Sequence, residues 1–294
     1  MKLGRIVVMV VVVGVVAVGM SACLAGNAAD DRGPLEVSVL SSRPETVTGG
    51  DALLLITLGE HDSKRVGVTV NGNDVTAMFR ETQDGQFVGL VTGLEYGLNN
   101  VMVSVDSDTR GQTLTLVNHS AAGPVFSGPH EQPFNCETDT FELVSGETLG
   151  DSFDQDCSIV RRVDYFYRST DDDELKSLPD TTGQLPANIA TATTLAGDGV
   201  PYVVRIETGT VNRAIYQIAM LHAPGVGDSV PSPWRRSPGW NGRLIYTFGG
   251  GCVNGWYRQG NTTGGVTDDV MLRQGYAVAS STLNVYGNNC NDVL

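Results

Sequence analysis

Apolar and polar residues alternate along this chain with a period that changes from region to region. Ile6 to Met20 is an unbroken apolar run, IVVMVVVVGVVAVGM, behind Lys2 and Arg5. Spanning a bilayer core takes roughly 20 apolar residues, so this run is short for a span and has the length of a signal h-region. Ser21 and Ala22 are small and Cys23 follows, an order that resembles a lipobox with Cys23 as the acylated mature N-terminus. Residues 1–22 are therefore expected to be a lipoprotein-type signal peptide, with an ordinary secretory signal as the other reading. The polar stretch of residues 23–34 is expected to be a tether.

From Leu35 to about Asn118 the pattern turns to period two. LEVSVL, ALLLITL, VGVTVNG, FVGLVTGL, NVMVSVDS and TLTLVN are separated by turn signals at Gly49-Gly50-Asp51, Asn71-Gly72-Asn73-Asp74, Asp84-Gly85 and Gly111. Short strands at this spacing predict an all-β sandwich of immunoglobulin-like type over 35–118. No Cys…Trp…Cys core is present, so it is not an antibody-type domain. Such a module serves as a spacer or as a binding appendage.

Residues 119–201 are rich in Gly, Pro, Ser, Thr and Asp and show no sustained period, apart from a strand in VRRVDYFYRS. They read as an irregular connecting region. The run Asp171 to Glu174 lacks the alternating ligand positions and glycine turn of a calcium loop, so it reads as a solvated loop. From Tyr202 the runs lengthen. YVVRIETG and AIYQIAMLHAP predict a hairpin joined near Thr208-Gly209. RLIYTFGG is an apolar strand that runs into glycines, Asp268 to Gln274 suits a short helix, and YAVASSTLN is a second buried strand. Apolar strands alternating with a helical segment predict the start of an α/β sheet over 202–294. The expected fold class is thus mixed, a β-sandwich followed by an incomplete α/β domain.

Charge and cysteine content narrow the partners. The formal charge is −14, which argues against nucleic acid, since that binding needs Lys/Arg stripes. A lipid on Cys23 would make a membrane the partner and the bacterial cell envelope the location; without it the protein would be secreted. Four cysteines remain beyond Cys23: Cys136, Cys157, Cys252 and Cys290. An even number in an exported chain favours disulfides. Three pairings are open, and proximity favours Cys136–Cys157 with Cys252–Cys290. No Cys-x-x-Cys and no paired histidine spacing points to a metal, and no cofactor motif occurs.

Candidate chemistry gathers at the glycines. A strand ending in Gly249-Gly250-Gly251-Cys252 frees backbone N–H groups to approach a ligand, as an oxyanion hole requires. Tyr257 and Arg258, just beyond, are candidates for substrate-side contacts. Trp234 and Trp240, with Arg235 and Arg236, read as a packed loop or as a substrate mouth. Ser280 and Ser281 sit in a buried-strand pattern and read as structural, and His222 reads as a loop or core histidine.

The stretch WNGRLIYTFGGG followed by LRQGYAVASSTLN resembles the front of the tannase and feruloyl esterase family. Trp240-Asn241-Gly242-Arg243, Gly249, Gly250, Gly275-Tyr276-Ala277-Val278 and Ser280 stand in that family's order. That likeness covers residues 240–284. The whole mature chain, including GPVFSGP…PFNC, resembles an uncharacterised family of exported bacterial hydrolase-like proteins. The resemblance implies an α/β-hydrolase fold and a Ser-His-Asp triad that cleaves carboxylic esters. The chain departs from that pattern. It contains no Gly-x-Ser-x-Gly, and His61, His119, His130 and His222 all precede the glycine strand, whereas the family's triad follows it. The expectation is an N-terminal fragment of an exported carboxylic ester hydrolase, without nucleophile or triad. The alternative is a non-catalytic surface lipoprotein with a binding or spacer module.

Overall fold

The computed structural model describes residues 35–58, 66–82, 86–105, 111–125, 129–130, 132–178, 181, 184–225, 231–234, 236–248 and 258–284. The expected signal peptide, the expected tether and Cys23 lie outside these residues.

The alternating runs fold as nine strands in two sheets. The strands are β1 (Glu36–Val39), β2 (Val47–Thr48), β3 (Asp51–Thr57), β4 (Val66–Val70), β5 (Asn73–Asp74), β6 (Phe79–Glu81), β7 (Phe87–Thr92), β8 (Gly97–Val105) and β9 (Gln112–His119). One sheet has the order β1-β3-β7-β6 and the other β2-β9-β8-β4-β5. Ala52, Leu54 and Ile56 of β3, Val91 of β7, Val68 of β4, and Val101 and Val103 of β8 meet in one core. Each such side chain removed from water contributes about 1.5–3 kcal/mol before the entropy of ordering it. The turn after β4 uses Asn71 (φ 50°) and Gly72 (φ 84°), the two left-handed residues a tight hairpin needs. Asn71 also ties this turn to β8: its Nδ2 donates to Asn99 Oδ1 and its Oδ1 accepts from Asn100 N, both at 2.9 Å.

The continuous apolar run Leu53–Ile56 departs from simple alternation, and the structure supplies the reason. Leu54 and Ile56 face the core, while Leu53 lies opposite Leu90, and Leu55 opposite Val88, on the outer face. That outer face is covered in part by the later segment around Trp234.

The second sheet system contains β10 (Arg162–Arg168), β11 (Leu175–Ser177), β14 (Val203–Val211), β15 (Ala214–Leu221), β16 (Leu244–Tyr246) and β17 (Ala277–Ser281), ordered β11-β10-β14-β15-β17-β16. A small ribbon, β12 (Thr191–Thr193) with β13 (Gly199–Pro201), and the helix α1 (Asp269–Arg273) pack beside it. Leu272 of α1, Val204, Ile206, Ala219, Leu221 and Val278 share one core. Ile215 meets Phe141 and Leu143 in another.

The expected α/β domain over 202–294 is overturned. Seventeen strands and a single α-helix of five residues appear among the described residues, so the chain is nearly all β. In the six-stranded sheet only β16–β17 is parallel; β14, β15 and β17 run antiparallel in succession. The reason is the short connection. β14 and β15 are joined by two residues, which permits only an antiparallel pair. That turn also lies elsewhere than expected. It is made by Asn212 (φ 48°) and Arg213 (φ 63°), with Val211 paired to Ala214. Thr208 and Gly209 lie within β14. Gly209 is not a bend; it clears room for the Tyr216 ring, which a Cβ there would meet at 2.7 Å.

β10 pairs with β14 along six residues, so the segment around VRRVDYFYRS is part of the second sheet. Among the described residues no helix is long and apolar enough to cross a membrane.

Candidate functional site

The Trp-Asn-Gly-Arg stretch and the Gly-Tyr-Ala-Val stretch are held by each other. Asn241 N donates to Gly275 O at 2.8 Å and Asn241 Nδ2 to Gln274 O at 2.9 Å. Asn241 Oδ1 accepts from Arg243 N at 2.9 Å, and Arg243 O accepts from Trp240 Nε1 at 2.9 Å and from Ala277 N at 3.0 Å. Gly242 and Gly275 both have φ of 84°, the left-handed conformation that favours glycine. These residues therefore start the parallel β16–β17 pair in register.

The other end of that pair leads to the glycines. Thr247 N donates to Ala279 O at 2.8 Å, and Thr247 Oγ1 donates to Gly265 O at 2.6 Å. Ser280 Oγ donates to Thr247 O at 2.7 Å and accepts from Gly264 N at 2.8 Å. Ser280 is buried and its hydroxyl donates one bond and accepts one, so it braces Thr247 and Gly264. Ser281 Oγ likewise accepts from Tyr246 Oη at 3.0 Å and from Leu283 N at 3.2 Å. Gly249, Gly250, Gly251, Cys252 and Tyr257 lie outside the described residues.

Arg258, where the described chain resumes, is committed to an ion pair. Glu137 accepts from Arg258 Nε at 3.0 Å, from Arg258 Nη2, and from Gly260 N at 2.7 Å. This pairing holds the Arg258 pKa above its ordinary value. The next residue, Gln259, is wholly buried; its Oε1 accepts from Glu137 N at 2.9 Å and its Nε2 donates to Cys157 O at 3.3 Å. Cys136 and Cys157 are joined by a disulfide. Arg258 thus belongs to a clamp that fixes residues 258–260 on the disulfide loop. Sequence reasoning missed this because Glu137 lies 121 residues away. Cys252 and Cys290 lie outside the described residues.

The histidines do not converge. His119 Nε2 lies 2.9 Å from Glu45 O, and His130 Nε2 lies 3.0 Å from Asn212 Oδ1. His61 lies outside the described residues. His222 Nδ1 lies 3.0 Å from Ser237 Oγ, and Ser237 Oγ also reaches Leu221 O at 3.3 Å. Both side chains are buried, and the hollow beside them is about 20 Å³, room for a single water. An acyl group has no place there. The pair acts as a staple that holds the 237–240 turn on the end of β15. Among the described residues no group of three or more His, Cys, Asp or Glu could hold a metal ion. Asp171 to Glu174 form a turn braced by Asp171 on Asn188 Nδ2 at 2.6 Å and by Asp172 on Lys176 at 2.6 Å.

A charged cluster unforeseen from the sequence docks α1. Asp269 pairs with Arg168 Nε at 3.1 Å and Arg273 Nη2 at 3.1 Å, and accepts from Tyr202 Oη at 2.9 Å. Burial and the bond to Asp269 push the Tyr202 phenol up to about 12. Burial alone would raise the Asp269 carboxyl, but the bonds from Arg273 and Tyr202 and the charges of both arginines hold it below the ordinary value. A depressed folded-state pKa stabilises fully above the unfolded value, near 4, and that contribution disappears as pH falls through the folded value. Asp269→Asn is therefore expected to lower the melting temperature at pH 6. The gap to the wild type should close as pH falls toward 3; a gap independent of pH would exclude this role.

A tannase-like family of unknown function (DUF6351) matches residues 37–294. The chain belongs to that family. Its residues 240–243 and 275–278 form the hydrogen-bonded start of β16 and β17. No curated protein matches the sequence. Among solved structures, an FMN-binding β-glucuronidase from Facaelibacterium prausnitzii L2-6 is similar at 21% identity, over 30% of this chain and 12% of its own, with a TM-score of 0.22. That likeness is too slight to define a shared fold.

Proposed function

We propose that these residues belong to a protein that hydrolyses carboxylic esters outside the cytoplasm, and that they shape its site without themselves supplying the nucleophile. Membership of a tannase-like family over residues 37–294 carries this reading. The anchoring on both sides of the glycine run supports it: Thr247 is fixed on β17 before the run, and Arg258 to Gly260 are fixed on Glu137 after it. Backbone donors at Gly249 to Cys252 would stabilise the oxyanion of a tetrahedral intermediate, where one donor is typically worth about 3–4 kcal/mol. The hydrophobic leader ending at Cys23 supports export and a lipid anchor.

The second reading is a non-catalytic surface protein that binds a ligand. It is favoured by the burial and bracing of Ser280 and by the Ser237–His222 staple. One measurement tests what the two readings share, and a second separates them. The 294-residue chain is expected to show no turnover of 4-nitrophenyl or aromatic methyl esters and no labelling by a fluorophosphonate; labelling would place a nucleophile within these residues. Deleting the gene is expected to lower ester hydrolysis in the envelope fraction of the source cell. An unchanged rate would favour the binding reading.

A further inference from the structure

A cleft of about 440 Å³ opens where the segment 232–242 crosses the outer face of the first sheet. Leu53 and Val88 form its floor, and Trp234, Arg236, Trp240 and Gly242 line it. Its volume falls in the range of small-ligand pockets, about 300–1,000 Å³. It is lined by residues before β16; Gly249 to Cys252 lie outside the described residues.

Both tryptophans are braced and half-buried. Trp234 Nε1 donates to Val88 O at 2.7 Å, and Trp240 Nε1 donates to Arg243 O at 2.9 Å. With their N–H groups committed to backbone carbonyls, the indoles are held in fixed orientations. Arg80 lies over the Trp234 ring with its guanidinium carbon 4.8 Å from the centroid.

The charge of the cleft runs against that of the protein. The chain carries 33 acidic and 19 basic residues, yet no carboxylate is among the described residues that line the cleft. Arg161, Arg162, Arg168, Arg205, Arg258 and Arg273 each pair with an Asp or Glu. Arg236 and Arg80 meet no carboxylate among the described residues. A guanidinium that meets no acid among the described residues, beside oriented indole faces, suits a planar anion held against a ring.

We propose that the Trp234–Arg236–Trp240 cleft binds a carboxylate carried on a six-membered ring, with the ring on an indole face and the carboxylate on Arg236. Two sources present that chemistry: an aromatic acid, and the uronic acid units of an acidic polysaccharide. This assignment does not depend on the ester-hydrolysis reading.

The test is calorimetric titration of the full chain with 4-hydroxybenzoate and with D-glucuronate, each beside its neutral counterpart, methyl 4-hydroxybenzoate or D-glucose. At least one acid is expected to bind saturably and at least about tenfold more tightly than its neutral counterpart, and more weakly as salt is raised. Arg236→Gln, at an exposed position, is expected to weaken that binding about tenfold with an unchanged circular dichroism spectrum. Trp240→Phe, which keeps a ring, is expected to retain more binding than Trp240→Ala. Response to the aromatic acid alone assigns an aromatic ligand, and response to glucuronate alone assigns an acidic polysaccharide. No binding of either acid, equal binding of the neutral counterparts, or an Arg236→Gln variant that binds like the wild type would overturn the proposal.

Discussion

Gly239→Ala is expected to destabilise the protein by about 3 kcal/mol, at the upper end of overpacking effects. A Cβ at Gly239 would run into the Leu221 carbonyl oxygen and lie 2.7 Å from Leu221 Cβ and 2.8 Å from its carbonyl carbon. The obstacle is backbone at the end of β15, paired there with Val204 of β14, so it cannot rotate aside as a side chain would. Relief requires the 237–240 turn to lift from β15. Lifting it breaks the contact of Ser237 with Leu221 O and His222 and displaces Trp240, whose N–H donates to Ser237 O at 2.9 Å. For a chain of this size the loss corresponds to a fall of roughly 6–12 °C in melting temperature. Gly199→Ala is the control. A Cβ there meets nothing within 4 Å, so its effect should stay within about 0.5 kcal/mol. Equal melting temperatures for the two variants would show that the turn is not packed as described.

Replacing Cys136 and Cys157 together by serine is expected to cost about 3 kcal/mol, the chain-entropy value for a loop of this length. The crosslink closes a separation of 21 residues, and Cys157 is fully buried beside Gln259. The loss should spread to the Glu137–Arg258 clamp, because Glu137 neighbours Cys136. Hydrogen exchange at Gly260, whose N–H donates to Glu137 Oε2 at 2.7 Å, should quicken in the variant more than exchange at β8 in the sandwich. The double variant is preferable to a reductant, which would also act on any other disulfide. An unchanged melting temperature would mean that the loop is held without the crosslink, by the Glu137 clamp and by Phe141 and Leu143 on Ile215.

Local signals were read from the residues themselves. Alternation located the strands of the sandwich, and Asn71-Gly72 marked its tightest turn. Asp268 before an apolar segment marked the start of α1, where its side chain accepts from Met271 N. The second half was harder for an equally local reason. The apolar runs of β14 and β15 match buried parallel strands and antiparallel ones alike, and only the two-residue turn at Asn212-Arg213 separates these cases. Gly209 looked like the bend because glycine serves both for left-handed turns and for making room for a ring. Arg258 looked free for substrate because its partner is Glu137, far away in sequence.

The residues alone determined the apolar N-terminal run, the acidic charge, the strand-forming periods and the glycine run after β16, since each is read from composition or from neighbours a few positions apart. Tertiary structure decided the nearly all-β architecture, the capture of Arg258, the bracing role of Ser280 and the Trp234–Trp240 cleft. Those depend on which surfaces meet across long separations, such as Trp234 on Val88 146 residues away. Loop-closure entropy rises only slowly with the length of the connection, so distant partners compete nearly as well as near ones. Packing complementarity then selects among them, and it is not encoded in any short window of sequence.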